Sequence, residues 1–388
     1  MAWLVPENML DDQQRNFIEN VDINQRNVWI KGFPGSGKSV LLAYTMKRIK
    51  RKNANAKVVV VVFTHSLIAM FRAAFAEMGV PANIMTYYEF MDGGSSYDYI
   101  LSDEIQDMTG RVLSAMNSRA KHVIVAGDEN QSIYESDPKY KEPTVTTSQI
   151  TSLLNCRDFE LGIIHRLSSS IITAVEKFMP NMNIFTARRD MTKRTTQIRL
   201  CSANSTAEEV QYIVKEAQKA VNIGDSAAIL IPTQQEILNF FQMALSALGK
   251  SQWSVQLNRW GKVDYSKLNS YLKSNNVKLQ YVGSGAGSFT QNDGKISVMT
   301  YHSSKGLDFD NVFLPGLTRS LFINGNERLS RTLFMVAMTR SRNNLYLTHS
   351  GSKSAYLSSF ADACSMINVH DVLNGQTGTA GGNNIFGS

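Results

Sequence analysis

Short apolar runs rich in β-branched residues alternate along most of the chain with longer stretches of helical periodicity. In the first half, residues 27–31, 57–63, 97–102 and 122–126 read as strands, with helical patterns at 38–51 and 66–78 between them. The run Val58–Val62 is uninterrupted valine, the signature of a strand covered on both faces, as in a parallel sheet. The second half repeats the style, with strands at 227–232, 296–301, 312–314 and 345–348 and helices at 168–178, 207–221 and 234–248. Strand–helix alternation of this kind predicts an α/β fold with parallel sheets in two successive domains. The break between them is expected near 156–162, giving domains at 1–158 and 159–365. Residues 250–293 are less regular, with turn signals at Gly283, Gly285 and Gly287, and read as a small irregular insertion. The Gly-, Asn- and Thr-rich end, 366–388, reads as a flexible tail.

Composition narrows the setting. The chain has 388 residues, 43% of them hydrophobic and 19% charged, with no apolar stretch long enough to span a membrane. The opening residues lack a basic segment followed by a hydrophobic one, so a cytoplasmic location is expected. Only Cys156, Cys201 and Cys364 are present, widely spaced and without a CxxC pair, which suits reduced thiols rather than disulfides or zinc. A formal net charge of +7 is compatible with a polyanionic partner. The basic run Lys47–Lys52 falls within a helical pattern and reads as a solvated face.

Chemistry enters at Gly32-Phe33-Pro34-Gly35-Ser36-Gly37-Lys38-Ser39, which fits GxxxxGK[ST] between a strand and a helix. Gly32, Pro34, Gly35, Ser36 and Gly37 would form the loop, with the glycines letting its backbone N–H groups (Pro34 has none) curl around a phosphate chain at a helix N-terminus. Lys38 would reach the β/γ-phosphates and the Ser39 hydroxyl would ligate Mg²⁺, making ATP and Mg²⁺ the expected cofactors. Asp103-Glu104 follows the strand at 97–102, and in parallel sheets ligands gather at the strands' carboxyl ends. Asp103 is the expected partner of the metal, and Glu104 the base that orients the attacking water. The strand at 122–126 ends in Gly127-Asp128-Glu129-Asn130-Gln131, where Gln131 could sense the γ-phosphate.

Taken together, these residues resemble superfamily 1 helicases of the UvrD/Rep type, and the resemblance runs across almost the whole chain. It implies two tandem RecA-like P-loop domains with the ATP site at the interdomain cleft. Leu10–Arg15 looks like the family's adenine-reading motif, with Gln14 as its glutamine. Phe63-Thr64-His65-Ser66 and Thr86-Tyr87-Tyr88-Glu89-Phe90 stand where the family holds single strands, so Thr64, His65, Thr86, Tyr87 and Tyr88 are expected to bind nucleic acid. Ile164–Ser170 resembles the motif that supplies Arg166. Met299–Phe309 resembles the next, with Thr300 and His302 toward nucleic acid and Gly306 and Asp308 toward the nucleotide. Val336–Arg342 resembles the last, with Arg340 as an arginine finger, an element worth roughly 10³–10⁵ in rate.

Two departures qualify the resemblance. The large accessory insertions of full-length relatives have no room here. Where relatives continue QSIY with a Trp-Arg pair, this chain has Glu135-Ser136-Asp137-Pro138. Either Tyr134 or Tyr140 takes over the base stack, or the grip on single strands is weaker. The expected activity is an ATP-dependent translocase or helicase on single-stranded nucleic acid, DNA in preference to RNA, with 3′-to-5′ polarity. The alternative is a nucleic-acid-sensing ATPase switch that regulates a protein partner such as a nuclease, in a genome-maintenance or phage-defence complex. The second-half motifs argue against a P-loop kinase.

Overall fold

The computed structural model describes residues 4–128, 131–182, 188–189, 195–283, 285–287 and 293–375. Its contacts divide the chain into two units. One runs to Arg166 and takes in a short strand at Arg188–Arg189; the other begins at Leu167.

In the first unit, helix α1 (Asp12–Asn20) leads to strand β1 (Val28–Gly32) and helix α2 (Lys38–Lys52). Then follow β2 (Val58–Val62), α3 (His65–Glu77), β3 (Asn83–Thr86), α4 (Tyr87–Asp92), β4 (Tyr97–Ser102), α5 (Gly110–Arg119), β5 (Ala120–Gly127), α6 (Thr147–Leu154) and β6 (Arg157–Leu161). The six strands form one sheet in the order β3-β2-β4-β5-β1-β6, every pair parallel. Strand alternation splits the core into two faces. Val28, Ile30, Val58, Val60 and Val62 pack with Phe17, Leu41 and Phe71 of α1, α2 and α3. Trp29, Val59 and Val61 pack with Phe90, Leu113 and Ile150 of α4, α5 and α6. A two-stranded ribbon, β7 (Ile163–Ile164) with β8 (Arg188–Arg189), completes the unit.

The second unit begins with α7 (Ser169–Phe178) and continues through β9 (Gln197–Ala203), α8 (Thr206–Asn222), β10 (Ala227–Ile231), α9 (Gln234–Ala247), α10 (Tyr265–Ser274) and β11 (Leu279–Tyr281). It ends with β12 (Ile296–Thr300), β13 (Phe309–Leu314), α11 (Glu327–Met338), β14 (Ser341–Ser350), β15 (Ser365–Asn368) and α12 (Val369–Leu373). Its seven strands run in the order β11-β12-β10-β13-β14-β9-β15, again all parallel. Two parallel sheets with flanking helices are the architecture of tandem RecA-like α/β domains.

Two stretches carry more structure than their patterns announce. Within 250–293, the helix α10 buries Leu268 and Leu272, and β11 forms the sheet edge beside β12. The expected tail from 366 begins instead with β15, which pairs with β9, and with α12, which buries Val369. Short strands and a one-turn helix carry too few residues for periodicity to register. Residues 376–388 lie outside the described residues.

Candidate functional site

Strand order brings the first unit's chemistry together. β4, β5 and β1 are adjacent, so the loops leaving their carboxyl ends share one edge of the sheet. The loop after β1 enters α2 through Gly37 at φ 92°, and Gly35 lies at φ 77°, conformations that favour glycine. Space imposes the same choice. A Cβ on Gly35 would stand 2.5 Å from Cβ of Arg166, and one on Gly37 would run into the Gln14 amide.

Lys38 is buried, with Nζ donating to the loop's own carbonyls at Gly32 (2.8 Å) and Phe33 (3.1 Å). Burial pulls its pKa below the ordinary lysine value, with Asp128, Glu104 and Asp103 acting in the opposite sense. The Ser39 hydroxyl donates to Asp103 Oδ2 at 2.5 Å, so the two expected metal partners already face each other. Burial and the neighbouring Glu104 raise the Asp103 pKa. Glu104 itself has φ 54°, a left-handed backbone that costs a residue with a Cβ about 1 kcal/mol or more. Its backbone N–H donates to Asp103 Oδ1 at 3.0 Å.

A residue without an assigned role in the sequence reading links these groups. Gln106 Nε2 donates to Glu104 Oε2 (2.6 Å), and Gln106 Oε1 accepts from the Asp128 backbone N–H (3.1 Å). Gln131 Nε2 in turn donates to Asp128 Oδ2 (2.8 Å). Glu104, Gln106, Asp128 and Gln131 are all buried. The signal for Gln106 was its place two residues after the candidate base, too short a pattern to stand out.

The expected adenine reader and Arg166 also meet the loop. Gln14 forms a capping box with Asp11 at the start of α1 and donates through Nε2 to Ser36 O at 3.1 Å. The backbone N–H groups of His165 and Arg166 both donate to Gly35 O, at 3.0 and 3.1 Å, and His165 Nε2 pairs with Asp11 Oδ2. The charge of Arg166 is close enough to lower the Lys38 pKa.

The donor set fits a nucleoside triphosphate with Mg²⁺. The Ser36 hydroxyl is buried inside the loop without a hydrogen-bond partner among the described residues. Lys38 rests on carbonyls that a phosphate oxygen would replace, and a hydroxyl and a carboxylate stand together for a hard cation.

The nucleic-acid candidates of this unit divide. Thr64 and Thr86 cap α3 and α4, accepting from the backbone N–H of Leu67 and Glu89. His65 is exposed and Tyr88 partly so. Tyr87 is different, because its ring has no exposed surface, lies against Phe63 and Tyr88, and its hydroxyl donates to Asp137. It offers no face to a base. Tyr134 leans on Phe63 at 4.6 Å between centroids, while Tyr140 packs edge-on against Tyr88 beneath Lys139.

In the second unit, Thr300 ends β12 and its hydroxyl accepts from the Ser303 N–H at 3.1 Å, starting the turn that carries His302 and Gly306. Burial and Lys305 lower the His302 pKa to about 4. Asp308 faces Arg342 at 3.8 Å. Arg340 is 1% exposed, with Nε donating to Val336 O, one terminal nitrogen to Leu307 O and the other to Thr339 Oγ1.

Comparison with known proteins matches these regions separately. Residues 14–137 match an AAA domain model, and residues 261–352 match the UvrD-like helicase C-terminal domain. The first covers Gln14 through Gln131, and the second covers Thr300 through Arg340. DNA helicase II of Rickettsia typhi is 38% identical over 76 residues, which are 17% of this chain and 12% of that protein. ATP-dependent DNA helicase PcrA of Leuconostoc citreum is 35% identical over 75 residues, 18% of this chain and 10% of that protein. A solved arterivirus nonstructural protein 10 (helicase) in complex with DNA is 14% identical, covering 84% of this chain and 61% of its own, with a TM-score of 0.41. The chain thus matches about a tenth of the length of these curated relatives, and over that part it is related to superfamily 1 helicases of the UvrD/Rep type.

Proposed function

We propose that this protein is an ATP-dependent nucleic-acid translocase or helicase, moving 3′-to-5′ on single-stranded DNA, with ATP and Mg²⁺ as its cofactors. The observation that carries this reading is the meeting of Lys38, the Ser39–Asp103 pair and the Glu104–Gln106–Asp128–Gln131 chain at one sheet edge. ATP supplies the transferable phosphoryl group and Mg²⁺ the neutralising charge when bound. The loop amides of Gly32, Gly35, Ser36 and Gly37 and the Lys38 ammonium would bind phosphate, with Ser39 and Asp103 holding the ion. Gln14 would read the base, and Glu104 would orient water and accept its proton. Gln131, Arg166, Arg340, Gly306 and Asp308 would face the triphosphate. Thr64, His65, Thr86, Tyr88, Thr300 and His302 would hold the strand, with Tyr87 supporting them from beneath.

The test is ATP hydrolysis measured with single- and double-stranded DNA and RNA, followed by strand displacement on tailed duplexes. Single-stranded DNA should stimulate hydrolysis, and Lys38→Ala should abolish it. An active chain that no nucleic acid stimulates would overturn the motor reading. Arg340→Lys should keep nucleotide binding while hydrolysis falls, by up to roughly 10³-fold if the fork geometry is essential.

One observation favours a second reading, an ATPase switch that licenses a partner such as a nuclease. The segment after Gln131 turns Asp137 inward instead of presenting a Trp-Arg pair, which leaves fewer groups to grip a moving strand. That reading expects weak activity alone and a stable complex recovered from the native host. Recovery of this chain by itself would count against it.

A further inference from the structure

A hydrogen-bonded hairpin in the second unit presents the most exposed tryptophan among the described residues. Leu257 and Val263 pair across it in antiparallel fashion, the Asn258 N–H donates to Lys262 O at 2.7 Å, and the Asp264 N–H donates to Gln256 O at 2.8 Å. At the tip, Asn258 Oδ1 accepts from the N–H groups of Trp260 (3.0 Å) and Lys262 (3.1 Å), and Gly261 makes the turn at φ 72°. The base is fixed as firmly. Trp253 is buried in the core, Gln252 Nε2 donates to Gln242 O of α9, and the Tyr271 hydroxyl of α10 donates to Ser251 O.

A turn so completely hydrogen-bonded does not expose its side chains through slackness. Trp260 is nevertheless 67% exposed, Leu257 57% and Val255 45%. The Arg259 guanidinium lies over the indole at 4.0 Å. From Lys250 to Val263 the segment has three cations, Lys250, Arg259 and Lys262, and no acidic residue. The next carboxylate, Asp264, is occupied in capping α10 through the N–H groups of Ser266 and Lys267. A pre-positioned indole costs little order to engage, and cations around it call for an anionic partner.

We propose that this hairpin is a nucleic-acid contact, with Trp260 stacking on an unpaired base and Arg259 and Lys262 on the flanking phosphates. The ligand class is a single strand, because stacking on an exposed ring needs a base face that a duplex conceals. The site lies apart from the motif residues named above, with Arg259 and Trp260 just before the matched range 261–352 and Lys262 just inside it. It rests on the proposed function only in taking nucleic acid as the partner.

The test measures binding of a labelled single-stranded oligonucleotide to the full chain by anisotropy, across a salt series, with thermal melting to confirm folding. Trp260→Ala should weaken binding roughly tenfold, and Trp260→Phe should recover most of it. Replacing both Arg259 and Lys262 with Gln should lower the slope of log affinity against log salt by about 1.4. Unchanged affinity in a folded Trp260→Ala chain would overturn the proposal. So would loss of a co-purifying protein by that variant without loss of oligonucleotide binding, since the hairpin would then be a protein contact. Binding that depends on Trp260 without stimulated hydrolysis would support the hairpin while removing the motor reading.

Discussion

The phenol of Tyr87 donates its hydrogen bond to the carboxylate of Asp137, and both side chains are completely buried. The other Asp137 oxygen accepts from the backbone N–H groups of Lys139 and Tyr140. One carboxylate thus ties the start of α4 to the loop carrying Tyr140. Burial, reinforced by Asp137, pushes the Tyr87 pKa far up, so the phenol remains a donor at every working pH.

Tyr87→Phe removes that donor and leaves a buried carboxylate oxygen one partner short. The expected cost is about 1.5–3 kcal/mol of stability, read as a lowered urea midpoint. Single-strand affinity under conditions where the variant is folded should change much less than with Tyr88→Ala. A large affinity loss with unchanged stability would return Tyr87 to the strand-binding surface.

Gln106 joins the candidate base to the β5 terminus, and Gly127 is where that junction is tightest. A Cβ on Gly127 would collide with the Gln106 amide oxygen and stand 2.8 Å from Ile105 Cγ2. Gln106→Ala should lower kcat for ATP hydrolysis by roughly tenfold to a hundredfold with little change in KM, because Glu104 loses its orienting donor. Gly127→Ala should act through the same amide, so the double variant should be no slower than the worse single one. Additive losses would indicate that Gly127 acts elsewhere.

Much of this was legible in residue order. Uninterrupted valine in β2 announced a doubly covered strand, and the P-loop stood between the strand and helix that the pattern required. The alternating Arg157–Leu161 did not register, because an edge strand needs one apolar face only and its exposed positions dilute the signal. The inward turn of Tyr87 was hidden for another reason. A tyrosine in a strand-binding motif and a tyrosine in a core look alike until a buried acceptor such as Asp137 is placed opposite. Gln106 was hidden because its meaning depends on Asp128, a contact that strand order creates and local sequence does not.

The close approach of Gly35 to Arg166 gives a prediction about the phosphate loop. Gly35→Ala would combine a left-handed backbone with a Cβ 2.5 Å from that of Arg166, so the loop must move away from the two N–H groups that Gly35 O accepts. Nucleotide affinity, measured with a fluorescent ATP analogue, should fall by at least tenfold, about 1.4 kcal/mol or more. Gly79, also left-handed but with open space around it, serves as the control. Gly79→Ala should cost stability of order 1 kcal/mol and leave nucleotide binding intact.

His302 supplies a pH dependence whose sign can be worked out. Burial, with Lys305 adding to it, lowers its pKa to about 4 from the ordinary 6.5. Between those values the unfolded chain binds the proton and the folded chain does not, so this residue makes stability rise with pH. Its contribution is complete above about pH 6.5 and is lost as pH falls toward 4, by up to about 3 kcal/mol at 1.36 kcal/mol per unit. Urea unfolding of the full chain and of His302→Gln across that range isolates the term. The stability difference, wild type minus variant, should shrink as the solution is acidified. A difference that stays level would mean that His302 titrates alike in both states. Strand binding gives a second readout, because a neutral imidazole offers a phosphate a hydrogen bond but no net charge. The affinity lost in His302→Gln should therefore be nearly constant from pH 5.5 to 8, whereas a loss that grows on acidification through 6.5 would assign the contact to the protonated form.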